Sequence, residues 1–210
     1  MTLADIRAKV RIDPALNSTD TLSVADLDIL LNEGALDMNR KAGMLIGSDT
    51  WNTVASQQTY VLSGSSPVID GLGNFLDFYW PAGPLIYTQS SGKVKTSPND
   101  FKIVSESWMD LHIPGWQTAS ASDTVGYVYL SYDSSGNLVL GQHPKPSTTT
   151  PQWKAYFIGR GTDMTAAGHY PWVTGTSLTH LEPFHKGIGF YASWQAHLLK
   201  TGDKVAAKHY

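Results

Sequence analysis

The chain contains no cysteine. That absence excludes a disulfide scaffold, a thiolate zinc site, an iron–sulfur cluster and a cysteine nucleophile. It does not point to a compartment, because a chain without thiols is at ease in either redox environment. Charge of either sign is sparse. Lys and Arg number 15 against 18 Asp and Glu, for a formal net charge of −3. This balance argues against a strongly cationic nucleic-acid binder, whose phosphate affinity needs clustered Lys and Arg. No run of apolar residues is long enough to predict a membrane-spanning helix. The segment Met1 to Asp13 mixes Asp5, Arg7, Lys9, Arg11 and Asp13 among its apolar residues. That is not the basic-then-apolar layout of a secretory signal, so the expectation is a soluble protein made in the cytoplasm.

What is present suits a folded chain. Hydrophobic residues make up 41% of 210 residues, enough to bury a core in one large domain or two small ones. Composition changes twice along the chain. Residues 1 to about 47 read as helical, about 50 to 160 as strands and turns, and from about 180 as helical again. Thr2 is placed to cap a helix with Asp5 three residues on, and Leu3, Ile6 and Val10 share one face. Asp13-Pro14 interrupts it. A second helix is predicted from Ser23, with Val24, Leu27, Leu30, Leu31, Ala35 and Met38 as its apolar stripe. Asp26 and Asp28 suit its positive end, Arg40 and Lys41 its negative end, and Gly43 its stop.

The middle segment carries short β-favouring runs at 58–62, 75–81, 85–88, 127–132, 138–140 and 152–158, bounded by Gly, Ser and Pro. Residues 127–140 read as a hairpin whose loop, 133–137, uses Gly136 for a positive φ. Such strands predict a small antiparallel sandwich or barrel. Near the C-terminus, Pro183 fits a first helical turn, and Phe184, Ile188, Tyr191 and Leu198 fall on one broad face of a helix over 186–200. Gly187 and Gly189 permit close approach of another helix. Thr201-Gly202-Asp203 punctuates it, and 204–210 reads as a second short helix or a loose tail. Neither terminal segment alone can bury its apolar stripe. The expected fold class is therefore α+β. Residues 1–50 and 178–210 form a helical bundle, with an antiparallel β-rich domain, 51–177, inserted between them.

Residues that could carry chemistry do not form a motif. His180 and His185 are five apart with Glu182 between them, but a zincin needs spacing i, i+4 and no proline inside. His169 lies eleven residues upstream of His180. Gly64-Ser65-Ser66 lacks the second glycine of a nucleophile elbow. Asp110, Asp123, Asp133 and Asp163, in predicted loops, form no evident glycosidase pair with Glu106. Gly71-Leu72-Gly73 and Gly187-Ile188-Gly189 lack a phosphate-loop context, and Gly159-Arg160-Gly161 offers a single arginine. We therefore expect no catalytic, metal-binding or cofactor-binding residues. Tryptophan is abundant, with Trp51, Trp80, Trp108, Trp116, Trp153, Trp172 and Trp194 spread along the chain. Exposed tryptophans would serve as stacking platforms for a sugar, buried ones as core.

The order of these features resembles the head-to-tail adaptor (connector or neck) proteins of tailed bacteriophages. A helix from Ser23 to about Gly43 leads to Trp51-Asn52-Thr53 and the strand Gln58 to Leu62. Later come Tyr132 to Leu140, then His143-Pro144-Lys145-Pro146 and Trp153-Lys154-Ala155-Tyr156-Phe157. A terminal helix follows Leu181-Glu182-Pro183-Phe184-His185, carrying Ala192 and leading to Gly202-Asp203. The resemblance implies a structural virion protein of the tail or neck, made in the host bacterial cytoplasm, with no enzymatic activity. It implies a homo-oligomeric ring, commonly of twelve copies, between the portal protein and a downstream tail component such as a nozzle or tail terminator. DNA would pass through without specific binding, and no membrane is involved. A ring repeats one heterologous interface until it closes, and mild acidity lets DNA slide. Lys200, Lys204, Lys208, His209 and Tyr210 are the expected partner-contact residues. Two alternatives remain open. A carbohydrate- or receptor-binding β-module of a phage tail would show a line of exposed tryptophans on one sheet face. A small hydrolase would bring histidines and aspartates together in a pocket.

Overall fold

The computed structural model describes residues 1–17, 19, 22–63, 68–69, 75–173 and 178–201. Its helices are α1 (Leu3–Val10), α2 (Val24–Ala42), α3 (Glu106–His112) and α4 (His185–Ala196). Its strands are β1 (Ile46–Asn52), β2 (Thr59–Val61), β3 (Phe75–Phe78), β4 (Leu85–Thr88), β5 (Val94–Thr96), β6 (Lys102–Ser105), β7 (Tyr127–Tyr132), β8 (Leu138–His143) and β9 (Gln152–Gly159). The fold is mixed α and β. The chain divides into two compact units, one of Met1–Leu45 with Arg160–Tyr210 and one of Ile46–Gly159.

The first unit begins with a capping box. Thr2 Oγ1 accepts from the Asp5 amide, and the Asp5 carboxylate accepts from the Thr2 amide. These bonds hold the Asp5 carboxyl below its usual range, the Thr2 amide contributing most. In α2, Ser23 caps the N-terminus and Gly43 closes the helix in the left-handed region at φ 59°. Leu27, Leu30, Leu31 and Ala35 are buried as the stripe predicts, whereas Val24, the first helical residue, is exposed. Arg7 of α1 forks onto Asp28 of α2.

The buried face of α4 consists of His185, Ile188 and small residues: Gly189, Ala192, Ser193 and Ala196. Its bulky aromatics point the other way, Phe190 being 55% and Trp194 36% exposed. Phe184 lies before the helix proper and is also exposed. The chain then widens into a π-helical turn, His197–Thr201.

The segment 160–173, expected in the β-rich domain, belongs to the first unit. Side-chain and backbone bonds explain the correction. Asn32 of α2 donates to the Met164 carbonyl at 3.1 Å and accepts from the Met164 amide at 2.8 Å. The Trp172 indole donates to the Ala35 carbonyl at 2.8 Å. The amides of Leu3 and Ala4 bond the carbonyls of His169 and Ala167. Met164 and Trp172 are buried in the same core as Leu3, Leu27 and Ile188.

The second unit has two sheets. One runs β1-β9-β4-β5, with β3 also paired to β9; the other runs β2-β8-β7-β6. Neither closes into a barrel, and the second is not wholly antiparallel, because β6 and β7 run parallel. A parallel pair needs a crossover, and α3 lies in it. The helix was not predicted, although Ser105 caps it by accepting from the Trp108 amide at 3.2 Å. Asp110 therefore sits on a helix rather than in a loop. The predicted hairpin is present as β7 and β8, with Gly136 at φ 77°. Both sheets contribute to one apolar core built on Trp51, Tyr60, Phe78, Tyr87, Leu140, Trp153 and Phe157. Inside it the Trp153 indole donates to Gln142 Oε1 at 2.8 Å. A smaller cluster, Met109, Trp116 and Tyr129, lies under α3.

Three glycines make contrasting predictions. A Cβ at Gly34 would lie 2.9 Å from Cδ1 and 3.2 Å from Cβ of Tyr191, atoms fixed to the α4 backbone. Overpacking of this kind costs about 1–3 kcal/mol, more than the ~1 kcal/mol of helix propensity that alanine restores. Gly34→Ala is therefore expected to lower the denaturation midpoint. At Gly187 the nearest atom is Met38 Cε at 2.8 Å, the free end of a pliable side chain. Gly187→Ala is expected to be neutral or stabilising. At Gly141 a Cβ would fall 1.9 Å from Cζ of Tyr129, its register partner. Gly141→Ala should destabilise by about 3 kcal/mol, at the upper end of the overpacking range. Urea unfolding of the three variants checks all of these.

Candidate functional site

Among the described residues no three His, Asp or Glu side chains gather as a metal site. His169 sits in a tight turn, where its Nδ1 accepts from the Thr165 amide at 3.2 Å. The four aspartates do not converge. Asp110 accepts from the Trp116 indole at 2.8 Å. Asp123 accepts from the Ser90 amide at 3.2 Å. Asp163 pairs with Arg160 at 3.3 Å, in the first unit. Asp133 accepts from the Asn137 side chain and from the amides of Ser135 and Asn137. The Asn137 bonds hold its carboxyl below the usual range. Its role is to close the hairpin loop. Glu106 accepts from the Ser131 hydroxyl.

The shifted groups in the β-unit are likewise dispersed. Burial pushes the Tyr87 hydroxyl up to about 12, with the Asp123 charge adding to it. Burial also raises Tyr60 and Tyr129 and lowers His143. None of these pairs a nucleophile with a base.

The tryptophans do not form a platform. Trp51, Trp116, Trp153 and Trp172 are buried. The two most exposed, Trp80 and Trp194, belong to different units. Trp108 is half-buried, with one face stacked on His112 at 4.3 Å and Tyr127 tilted against it at 5.4 Å. A line of open indoles on one sheet face, as a sugar-binding module needs, is absent.

Of the expected partner-contact residues, Lys204, Lys208, His209 and Tyr210 lie outside the described residues. Lys200 is in the π-helical turn, and its side chain is likewise not described. Gly64-Ser65-Ser66, Gly71-Leu72-Gly73 and Gly202-Asp203 also lie outside them, and His180 is placed only by its backbone.

One cavity stands out in the helical unit. It holds about 540 Å³ and is lined by α1, the residues after it and α4. Ile6 and Val10 form apolar wall, and Ile12 and Phe190 stand at the surface. Lys9 and Lys186 bring positive charge from opposite helices, and Asp13 lines it beside them. The Asp13 carboxylate meets His197 Nε2 at 2.8 Å. His185, also in the lining, is fully buried. Its Nδ1 lies 3.1 Å from the Met1 nitrogen. The sequence reading missed this site, because its parts are far apart in the chain and form no local motif.

No protein-family model matches the chain, and no curated protein is significantly similar to it. Among the described residues no helix is long and apolar enough to cross a membrane.

His185 makes stability depend on pH. Burial, and next the Met1 ammonium, push its pKa below the ordinary 6.5, against the opposing charge of Glu182. Below 6.5 the unfolded chain therefore binds this proton more readily than the folded one. The stability is present above that pH and is lost as pH falls. The melting temperature of the helical signal is expected to drop from pH 7.5 to 5.5, and His185→Gln to flatten the slope. Circular dichroism melts across that range check this.

Proposed function

We propose that the chain is a ring-forming structural adaptor that joins a phage portal to its tail and continues the DNA channel. In this reading the helical unit is a bundle built from both chain ends, and the β-unit is an insertion in it that docks the next tail component. The protein acts in the virion and has no catalytic activity. The observation that carries the reading is the inverted dressing of α4. Its small side chains face its own unit, while Phe190 and Trp194 face outward. Large aromatics on an outer helix face suit an interface, where such residues act as anchors. The dispersal of the titratable groups fits a part that works through surfaces.

The test is light scattering of the chain alone and with candidate portal protein. The expected result is a closed ring of about a dozen copies on the portal, as one repeated heterologous contact requires. Trp194→Glu should abolish ring formation while leaving the helical signal unchanged. A chain that stays monomeric in the presence of every portal tested would refute the reading.

A further inference from the structure

We infer that the cavity between α1 and α4 is a docking groove for a short peptide segment of another protein, one that presents apolar side chains flanked by carboxylates. The inference goes beyond the adaptor reading, with which it shares Phe190 at the edge of the groove.

Charge complementarity selects the occupant. Lys9 and Lys186 line the groove from two different helices, and both are exposed. Neither makes an ion pair among the described residues, where the pairs are Arg7–Asp28, Lys41–Asp37, Arg160–Asp163 and His197–Asp13. The one carboxylate in the lining, Asp13, is already engaged by His197. The lining therefore carries two lysine charges against a single carboxylate, an excess of positive charge. In its wall, fully buried His185 has an Nε2 with no partner among the described residues. With Nδ1 facing the Met1 nitrogen, Nε2 is the ring's remaining polar atom. A buried polar atom without a partner is costly in a closed protein.

Size and shape favour a peptide over a small anion. About 540 Å³ accommodates two or three side chains, within the usual range for ligand sites. The apolar surface also continues outside the cavity. Ile12 is 77% exposed and Phe190 is 55% exposed at its edge. A chain that crosses the edge covers those residues, whereas a ligand confined to the cavity leaves them wet. Apolar contact would supply the affinity, and the lysines the orientation and the on-rate.

The test is selection of random twelve-residue peptides on the full-length chain, followed by titration of synthetic copies of those selected. Enrichment of apolar residues flanked by Asp or Glu is expected. The double variant Lys9→Glu with Lys186→Glu should weaken binding about tenfold or more, and Ile12→Asp by a similar factor. All three positions are exposed, so these variants keep the fold, and circular dichroism verifies that. Binding should also weaken with added salt. Failure to select any peptide overturns the inference. So does enrichment of basic or uncharged peptides, or a selected peptide that binds the double variant as well as the parent. The selection uses the chain without portal protein, and light scattering of the same sample establishes that it is monomeric, so failure here is distinguishable from failure of the adaptor reading.

Discussion

The pairing of β1 with β9 is the constraint on which the rest of the structure depends. The chain enters the β-unit at Ile46 and leaves it after Gly159, and Ile46 is the register partner of Ile158. Entry and exit are therefore held side by side by a ladder that continues to Asn52 and Gln152. Antiparallel strands joined across such a long intervening stretch close a large loop, and the entropy of closure must be recovered from contacts. β9 supplies many of them. It accepts β1 on one edge and both β3 and β4 on the other, and Trp153, Ala155 and Phe157 from it are completely buried. The Trp153 indole would be an unsatisfied buried donor without Gln142, so the hydrogen bond to β8 belongs to the same constraint.

That closure brings the two ends of the chain to one place and lets them form one core. α1, at 8 residues, is too short to be stable alone, and the apolar stripe of the longer α2 needs a partner to cover it. α4 offers them a surface of small residues, and the contacts are correspondingly close. Gly34 of α2 lies against Tyr191, and Gly189 against Ile6. The segment after β9 adds Met164 and Trp172, both held by bonds to α2. The apolar core of the helical unit is thus made from two segments separated in sequence by the whole β-unit. Of the aromatics of α4, Tyr191 packs against Gly34, while Phe190 and Trp194 stand on the outer face.

Local signals in the sequence led to the right elements at several places where the structure is decided locally. The Thr2–Asp5 box, the Ser23 and Gly43 caps and the Asp133–Gly136 loop each depend on residues within a few positions of one another. β1 was missed because Ile46-Gly47-Ser48-Asp49-Thr50-Trp51-Asn52 has weak β-propensity and becomes a strand through β9. β6 was missed because Lys102-Ile103-Val104-Ser105 is short and pairs in parallel across a crossover. α3 was legible in principle, since Ser105 and Glu106 open it as a cap and first-turn acid. The 160–173 segment was misassigned because its place is fixed by Asn32 and Ala35, far away in sequence. The groove between α1 and α4 was hidden for the same reason.

The distribution of polar groups bears on what kind of work the molecule does. A catalytic centre concentrates perturbed groups in one pocket, where burial and neighbouring charge tune them together. Here each perturbed group has its own local cause. Asp5 and Asp133 are low because they cap a helix and close a loop. Tyr60, Tyr87 and Tyr129 are high because their rings fill cores. His143 and His185 are low because they are buried in different units. Structure formation thus accounts for each of these shifts. The helical unit also presents surface features: Lys9 and Lys186 without ion-pair partners among the described residues, and the exposed side chains of Ile12, Phe190 and Trp194. These features gather on the helical unit, around α1 and α4.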